Sequence, residues 1–339
     1  MFWSLFLTFL LLKALVTLAI FPDTLNDYKM IITFGKPLQY SGSTLLKLDF
    51  DDCVQSCWND SNCVMVYETT NTTCQLFSVP NITTIQRTFS GNRIAFRTRS
   101  NDTECPAAES SPLIAGGIVT GDVTRFYETG GLNVYITYNI TMSNDVWTVS
   151  KANNLYCYSD FTFVHRELGV WCIGLMQHIS CLTQAAAVSA CALYRYSPRL
   201  SGIENAEEYQ MLQETAAGYL NNQVTVQKYK QLGFWVDGSR KPTCQYPAIR
   251  SSICNGTNEF SFNDTMMAAP DGYEWISGQP DGLTNSSSNA NCLSYRVGAT
   301  GENGIDDTPC TITNGTDICY AGFFCGIEPG EVPYLDALA

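Results

Sequence analysis

Two short stretches in the C-terminal half of this sequence carry oxygen-bearing side chains at spacings that could do chemistry. Gln279, Pro280 and Asp281 lie within W-I-S-G-Q-P-D-G (275–282), and Asp306 and Asp307 lie just before Cys310. Cys292 and Cys310 bound the segment between them. Amide and carboxylate oxygens gathered on a stapled loop suit a hard cation such as Ca²⁺, which takes six to eight oxygen ligands. Gln-Pro-Asp-Gly is also a good turn, and an Asp-Asp pair also suits a solvated loop. Catalysis is poorly served. The chain has two histidines, His165 and His178, and shows no Ser-His-Asp or Cys-His arrangement. His165 reads as a surface residue of a hairpin. Adjacent carboxylates on a strand point to opposite faces, which also argues against an acid–base pair at Asp306 and Asp307.

The chain that must position these groups has 339 residues, enough for about two domains. Its net charge of −13 argues against nucleic acid, which calls for basic patches. Residues 1–19 are apolar and end in Thr17-Leu18-Ala19, which reads as a signal peptide, with a membrane anchor as the competing reading. No second apolar run is long enough to be a transmembrane segment. Residues 327–339 read as a tail without the apolar end of a lipid-anchor signal. Fifteen cysteines accompany nine Asn-x-Ser/Thr sites, at Asn59, Asn71, Asn81, Asn101, Asn139, Asn255, Asn263, Asn285 and Asn314. Together these predict a secreted, extracellular, N-glycosylated protein made on an oxidising route. With two histidines and no C-x-x-C pair, zinc is a weak reading. An odd cysteine count leaves at least one thiol free or intermolecular.

Residues 28–99 read as one stapled module. Met30–Phe34, Cys63–Tyr67, Cys74–Phe77 and Ile94–Arg97 have strand composition, and Leu45–Trp58 reads as an amphipathic helix. Cys53 and Cys57 share a helical face. The simplest staples are Cys53–Cys74 and Cys57–Cys63, although four cysteines allow three connectivities. The pattern C-x3-C-x5-C-V-x-V-Y…C-x-L-F resembles the PAN/apple family, in the form common in nematode secreted proteins. That resemblance implies binding of proteins or sugars. Residues 100–156 read as a linker with a hairpin near Gly130-Gly131.

From residue 157 to residue 326 the pattern changes. Thr183–Leu193 and a segment capped by Asn205, with Glu208 three residues on, read as helices. Gly233–Gly238 reads as a buried strand, and Trp171, Phe234 and Trp235 read as core. In order come Trp171-Cys172, Cys191, L-S-G-I-E-N-A-E-E (200–208), F-W-V-D-G (234–238), W-I-S-G-Q-P-D-G, N-C-L (291–293), I-D-D-T-P-C (305–310) and F-F-C-G (323–326). This set resembles the long form of the C-type lectin-like domain. The fold class expected is therefore α+β: a helix on an antiparallel sheet, then two helices, two antiparallel sheets and a long loop. The resemblance implies disulfides Cys157–Cys172, Cys191–Cys325 and Cys292–Cys310, with Cys244–Cys254 stapling an insertion. Cys181 and Cys319 pair with each other, or one of them pairs with Cys105; the sequence leaves this open.

In lectins of this kind a calcium ion on the long loop is shared with two sugar hydroxyls. The ligating positions map to Gln279, Asp281, Ala290, Asp306 and Asp307, and Gln-Pro-Asp resembles the galactose-type order. Three departures weaken the match. Ala290 stands where the family has a ligating Glu, Ile305-Asp306-Asp307 replaces Trp-Asn-Asp, and no aromatic follows Asp281 before Tyr295. The resemblance implies carbohydrate recognition of glycans or glycoproteins outside the cell, calcium-dependent and of the kind used in innate immunity. The alternative is calcium-independent protein–protein adhesion, or a matrix module with a degenerate loop. Oligomeric state is not written in the sequence.

Overall fold

The structure is a computed structural model that describes residues 28–99, 112–127, 131–194, 196–222, 229–245, 253–282, 290–298 and 303–331. The leader, Cys105 and the sites at Asn101 and Asn285 lie outside those residues. No helix among the described residues is long and apolar enough to cross a membrane.

The first module holds β1 (Tyr28–Tyr40), β2 (Thr44–Leu46), α1 (Phe50–Asn59), β3 (Cys63–Thr70), β4 (Thr73–Ser78), β5 (Ile82–Arg87) and β6 (Arg93–Arg99). The helix begins later than the sequence suggests because Asp49 caps it. The Asp49 side chain accepts from the Asp52 amide at 2.9 Å, satisfying a donor that the first turn leaves orphaned. Thr44–Leu46 instead pairs with β4. Phe50, Cys53 and Cys57 form the buried face of α1, and disulfides join Cys53 to Cys74 and Cys57 to Cys63.

The stretch 100–156 that reads as linker holds most of three long strands, the last of which runs on to Tyr158. After a short α2 (Pro112–Ala115) come β7 (Ile118–Tyr127), β8 (Leu132–Ser143) and β9 (Val146–Tyr158). They form a meander whose outer strands meet β6 and β5. Because β1 pairs with both β5 and β6, the pairings run in a ring: β1-β5-β9-β8-β7-β6 and back to β1. Closure removes two sheet edges and encloses Ile85, Ile94, Phe96, Val134, Ile136, Tyr138 and Trp147. Gly35 is required where β1 crosses, since a Cβ there would lie 2.7 Å from Ile94. Trp147 is fully buried and donates to the Leu113 carbonyl at 2.8 Å, so α2 closes one end.

The second module holds β10 (Thr162–Arg166), β11 (Gly169–Gln177), α3 (Gln184–Leu193), β12 (Arg199–Leu200), α4 (Ala206–Asn222), β13 (Gln231–Arg240), β14 (Phe260–Ser261), β15 (Cys292–Gly298), β16 (Gly304–Thr308) and β17 (Ile318–Ile327). Two antiparallel sheets were expected. The structure has one eight-stranded mixed sheet, because β13 and β17 pair in parallel and fuse the halves. Asn205 caps α4 by accepting from the Glu208 amide at 3.0 Å, while the Glu208 carboxylate reaches back to the Glu204 amide at 2.9 Å. Trp171, Phe234 and Trp235 are buried. Disulfides join Cys157–Cys172, Cys181–Cys319, Cys191–Cys325, Cys244–Cys254 and Cys292–Cys310.

The modules touch. The Tyr135 ring of β8 packs 5.5 Å from Phe163 and 5.2 Å from His165 of β10. β18 (Gly330–Glu331) returns from the second module to pair with β9. Trp147→Ala should cost about 3–5 kcal/mol, the usual toll for emptying a large aromatic site in a core. Urea denaturation of the full chain reads this, and a loss under about 1 kcal/mol would mean the ring does not enclose a core.

Candidate functional site

The loop stretch is placed by the end of β13. That strand has a register shift between Val236 and Ser239, with Gly238 at φ 137°, a conformation that suits glycine. Beyond the shift the strand continues to Arg240, which pairs with Phe260 of β14. There the Arg240 guanidinium is buried. Its Nε donates to the Ala290 carbonyl at 2.9 Å and its Nη2 to Asp307 Oδ2 at 2.5 Å. Nη1 pairs with the Glu259 carboxylate, and the guanidinium lies 4.7 Å from the centroid of the Phe260 ring.

Asp307 is fully committed. Besides Arg240, its carboxylate accepts from the Asp281 amide at 2.9 Å and the Gly282 amide at 2.8 Å. Thus Asp281 reaches Asp307 through its backbone, next to the cis Gln279–Pro280 bond. Asp306 points to the opposite face of β16. It pairs with Arg296 Nη1 at 2.7 Å, on the side where Ser294 and Thr308 meet at 3.1 Å. Burial pushes the carboxyls of Asp306 and Asp307 above the ordinary aspartate range, and their arginine partners pull them back. Burial likewise lowers Arg240.

The calcium expectation fails this geometry. Asp306 and Asp307 are both present, but each is neutralised by its own arginine on its own face of the strand. Ala290 offers only its carbonyl, and Arg240 has taken it. Two buried acceptors, Gln279 Oε1 and Asp306 Oδ1, have no hydrogen-bond partner. They do not make a shell, because the Asp307 oxygens already accept from Arg240 and from the Asp281 and Gly282 amides. The donor set therefore does not fit Ca²⁺.

Sequence reasoning missed Arg240, Glu259 and Arg296, because nothing local marks them. It also placed His165 on the surface of a hairpin and said nothing of the charge beside it. His165 is half-buried on β10, and its neighbour Arg166 is fully buried: Nε and Nη2 clasp the Glu208 carboxylate at 2.6 and 2.8 Å, and Nη1 binds Asp264 Oδ2 at 2.8 Å. Asp264 Oδ2 also accepts from the Ser201 hydroxyl and the Gly202 amide. This second ionic cluster fixes the L-S-G-I-E-N-A-E-E segment from behind.

Comparison with known proteins bears on residues 30–98 and 164–328. The first range matches the PAN-like domain family, and the second matches the family of C-type lectin domain-containing protein 141/158. Neither match speaks to a nematode origin. No curated protein matches the chain. Among solved structures, human lithostathine aligns at 16% identity over 51% of this chain and 90% of its own, with a TM-score of 0.31.

Arg240→Met should cost about 3–5 kcal/mol, since it leaves the Glu259 and Asp307 carboxylates buried without their cation. Without that cation the Asp307 carboxyl rises further. A folded-state pKa above the unfolded value adds stability below the unfolded pKa and loses it as pH climbs through the folded one. The deficit should therefore be smaller near pH 4.5 than at pH 7. Urea melts at both pH values check this, and an equal deficit at the two would contradict it.

Proposed function

Because the chain joins a PAN-like domain to a C-type lectin domain, we propose that it is a non-catalytic, extracellular recognition protein whose lectin-type domain binds a protein or glycoprotein partner without calcium. Both domain types are typically binding modules, and carbohydrate or protein binding is what a C-type lectin domain suggests. The observation that carries the calcium-free reading is Arg240. Calcium-type sugar recognition needs an ion with open coordination positions, so that each hydroxyl can give it a lone pair. A guanidinium whose donors already face Glu259, Asp307 and the Ala290 carbonyl has none to offer. What remains at this end is the stretch 279–282, tied to β16 through the Asp307 carboxylate. A stiff surface loses little entropy on binding a partner.

Seven disulfides among the described residues agree with an oxidising, extracellular setting. Asn59, Asn71, Asn255, Asn263 and Asn314 are exposed, which leaves room for N-linked glycans. A second reading keeps the galactose-type calcium site. It rests on the partnerless Gln279 and Asp306 oxygens, and requires Arg240 to swing out.

A calcium ion bound to the folded state alone would add about 2.7 kcal/mol at one hundred times its Kd. The full chain should instead melt at the same temperature in calcium and in chelator, and should pass through galactose and mannose resins under both conditions. Retention on galactose that chelator abolishes would overturn the proposal.

A further inference from the structure

The two helices of the second module differ on their outer faces. α4 turns Gln210, Gln213 and Glu214 to solvent, as a surface helix does. α3 does not. Its sequence is Q-A-A-A-V-S-A-C-A-L, and its exposed arc is Ala185, Val188, Ser189, Ala192 and Leu193. Leu193 is 87% exposed and Val188 43%. Ser189, the polar side chain on that arc, spends its hydroxyl on the Ala185 carbonyl at 3.0 Å. Although 15% of the chain is charged, no Asp, Glu, Lys or Arg occurs between Glu167 and Arg195. A helix that is apolar all round calls for cover on every side.

The platform is rigid. Thr183 caps the helix by accepting from the Ala186 amide at 3.2 Å, and Cys191–Cys325 bonds its inner face to β17. Little entropy is therefore lost on docking. Its chemistry selects the occupant. With no charge on the helix and its hydroxyl spent, the arc offers a polar partner nothing. It offers another apolar helix a close approach over Ala185, Ser189 and Ala192, which follow one another at helical spacing. The arc is also self-complementary. A two-fold axis through Ser189 of two antiparallel helices sets Leu193 of each copy over Ala185 of the other, large against small, as an isologous contact requires. Charge points to the same face. Two copies at −13 repel, and a helix without carboxylates is where they can meet.

We propose that the outer face of α3 is the contact between two copies of this chain, packed helix against helix about a two-fold axis. A pair of helices this short presents less than the roughly 1,600 Å² of a standard interface, so the dimer is weak and reversible. It doubles the recognition surfaces, which raises avidity for a repeated ligand. It stands or falls independently of what the long loop binds.

Sedimentation velocity of the full chain over a concentration series tests it. The sedimentation coefficient should climb with concentration toward that of a dimer. Raising salt from about 0.05 to about 0.5 M should tighten the dimer, because salt screens like charges and spares apolar contacts. Val188→Glu and Leu193→Glu each set an uncompensated carboxylate on the contact and should weaken it at least about tenfold. Both positions are exposed, so the melting temperature should hold. Gln210→Glu on α4 should leave the dimer unchanged. A chain that stays monomeric throughout, a dimer that salt dissociates, or one that both α3 variants leave intact would overturn the proposal. So would a dimer that non-reducing electrophoresis shows to be disulfide-linked in both variants, or Leu193-dependent binding of the monomer to phosphatidylcholine vesicles.

Discussion

One buried guanidinium holds the functional end of this molecule together. From its place on β13, Arg240 touches three other segments: Glu259 just before β14, Ala290 at the foot of the long loop, and Asp307 on β16. Charges removed from water cost several kcal/mol each, and mutual attraction returns that only where geometry is good. Once made, such an arrangement is expensive to break, since any partner that leaves strands a buried charge. The loop stretch 279–282 inherits this rigidity. Its amides at Asp281 and Gly282 bind the same carboxylate that binds Arg240.

The rest of the second module repeats the device and covers it with sulfur. Arg166 clasps Glu208 and Asp264 behind the α4 cap, and the Asp237 carboxylate takes the Asp264 amide at 2.8 Å. Asp237 lies in the register shift that also aims Arg240 inward, so the two ionic clusters share one strand. Disulfides Cys191–Cys325 and Cys292–Cys310 then fix α3 to β17 and the start of β15 to the segment just after β16. In the calcium-free function proposed here, these contacts set the stretch 279–282 without an ion. The first module reaches a similar end by closure: its six-strand ring leaves few free edges, and β18 and Tyr135 couple it to the second.

Much of this was legible in the chain, and the reasons differ by element. Motifs such as W-I-S-G-Q-P-D-G and F-W-V-D-G are local, so their residue order carries the two-module reading without a structure. The opposite facing of Asp306 and Asp307 was also legible, because a strand alternates. That argument was applied against catalysis when it counts equally against a shared calcium ion. Arg240 was not legible, since its pairing with Asp307 spans 67 positions and no periodicity encodes it. Residues 118–158 showed their alternation, but ring closure depends on β5 meeting β9 and β6 meeting β7, contacts set by tertiary packing. The fusion of two sheets into one rests on the parallel β13–β17 pair in the same way.

The most direct test of the internal cation is an experimental structure of the full chain crystallised in millimolar calcium. The account predicts density for the Arg240 side chain between Glu259 and Asp307, with no ion within about 2.6 Å of the Asp281 or Asp307 oxygens, the outer limit of calcium–oxygen bonds. An ion bound by Gln279, Asp281 and Asp307, with Arg240 displaced toward solvent, would contradict it.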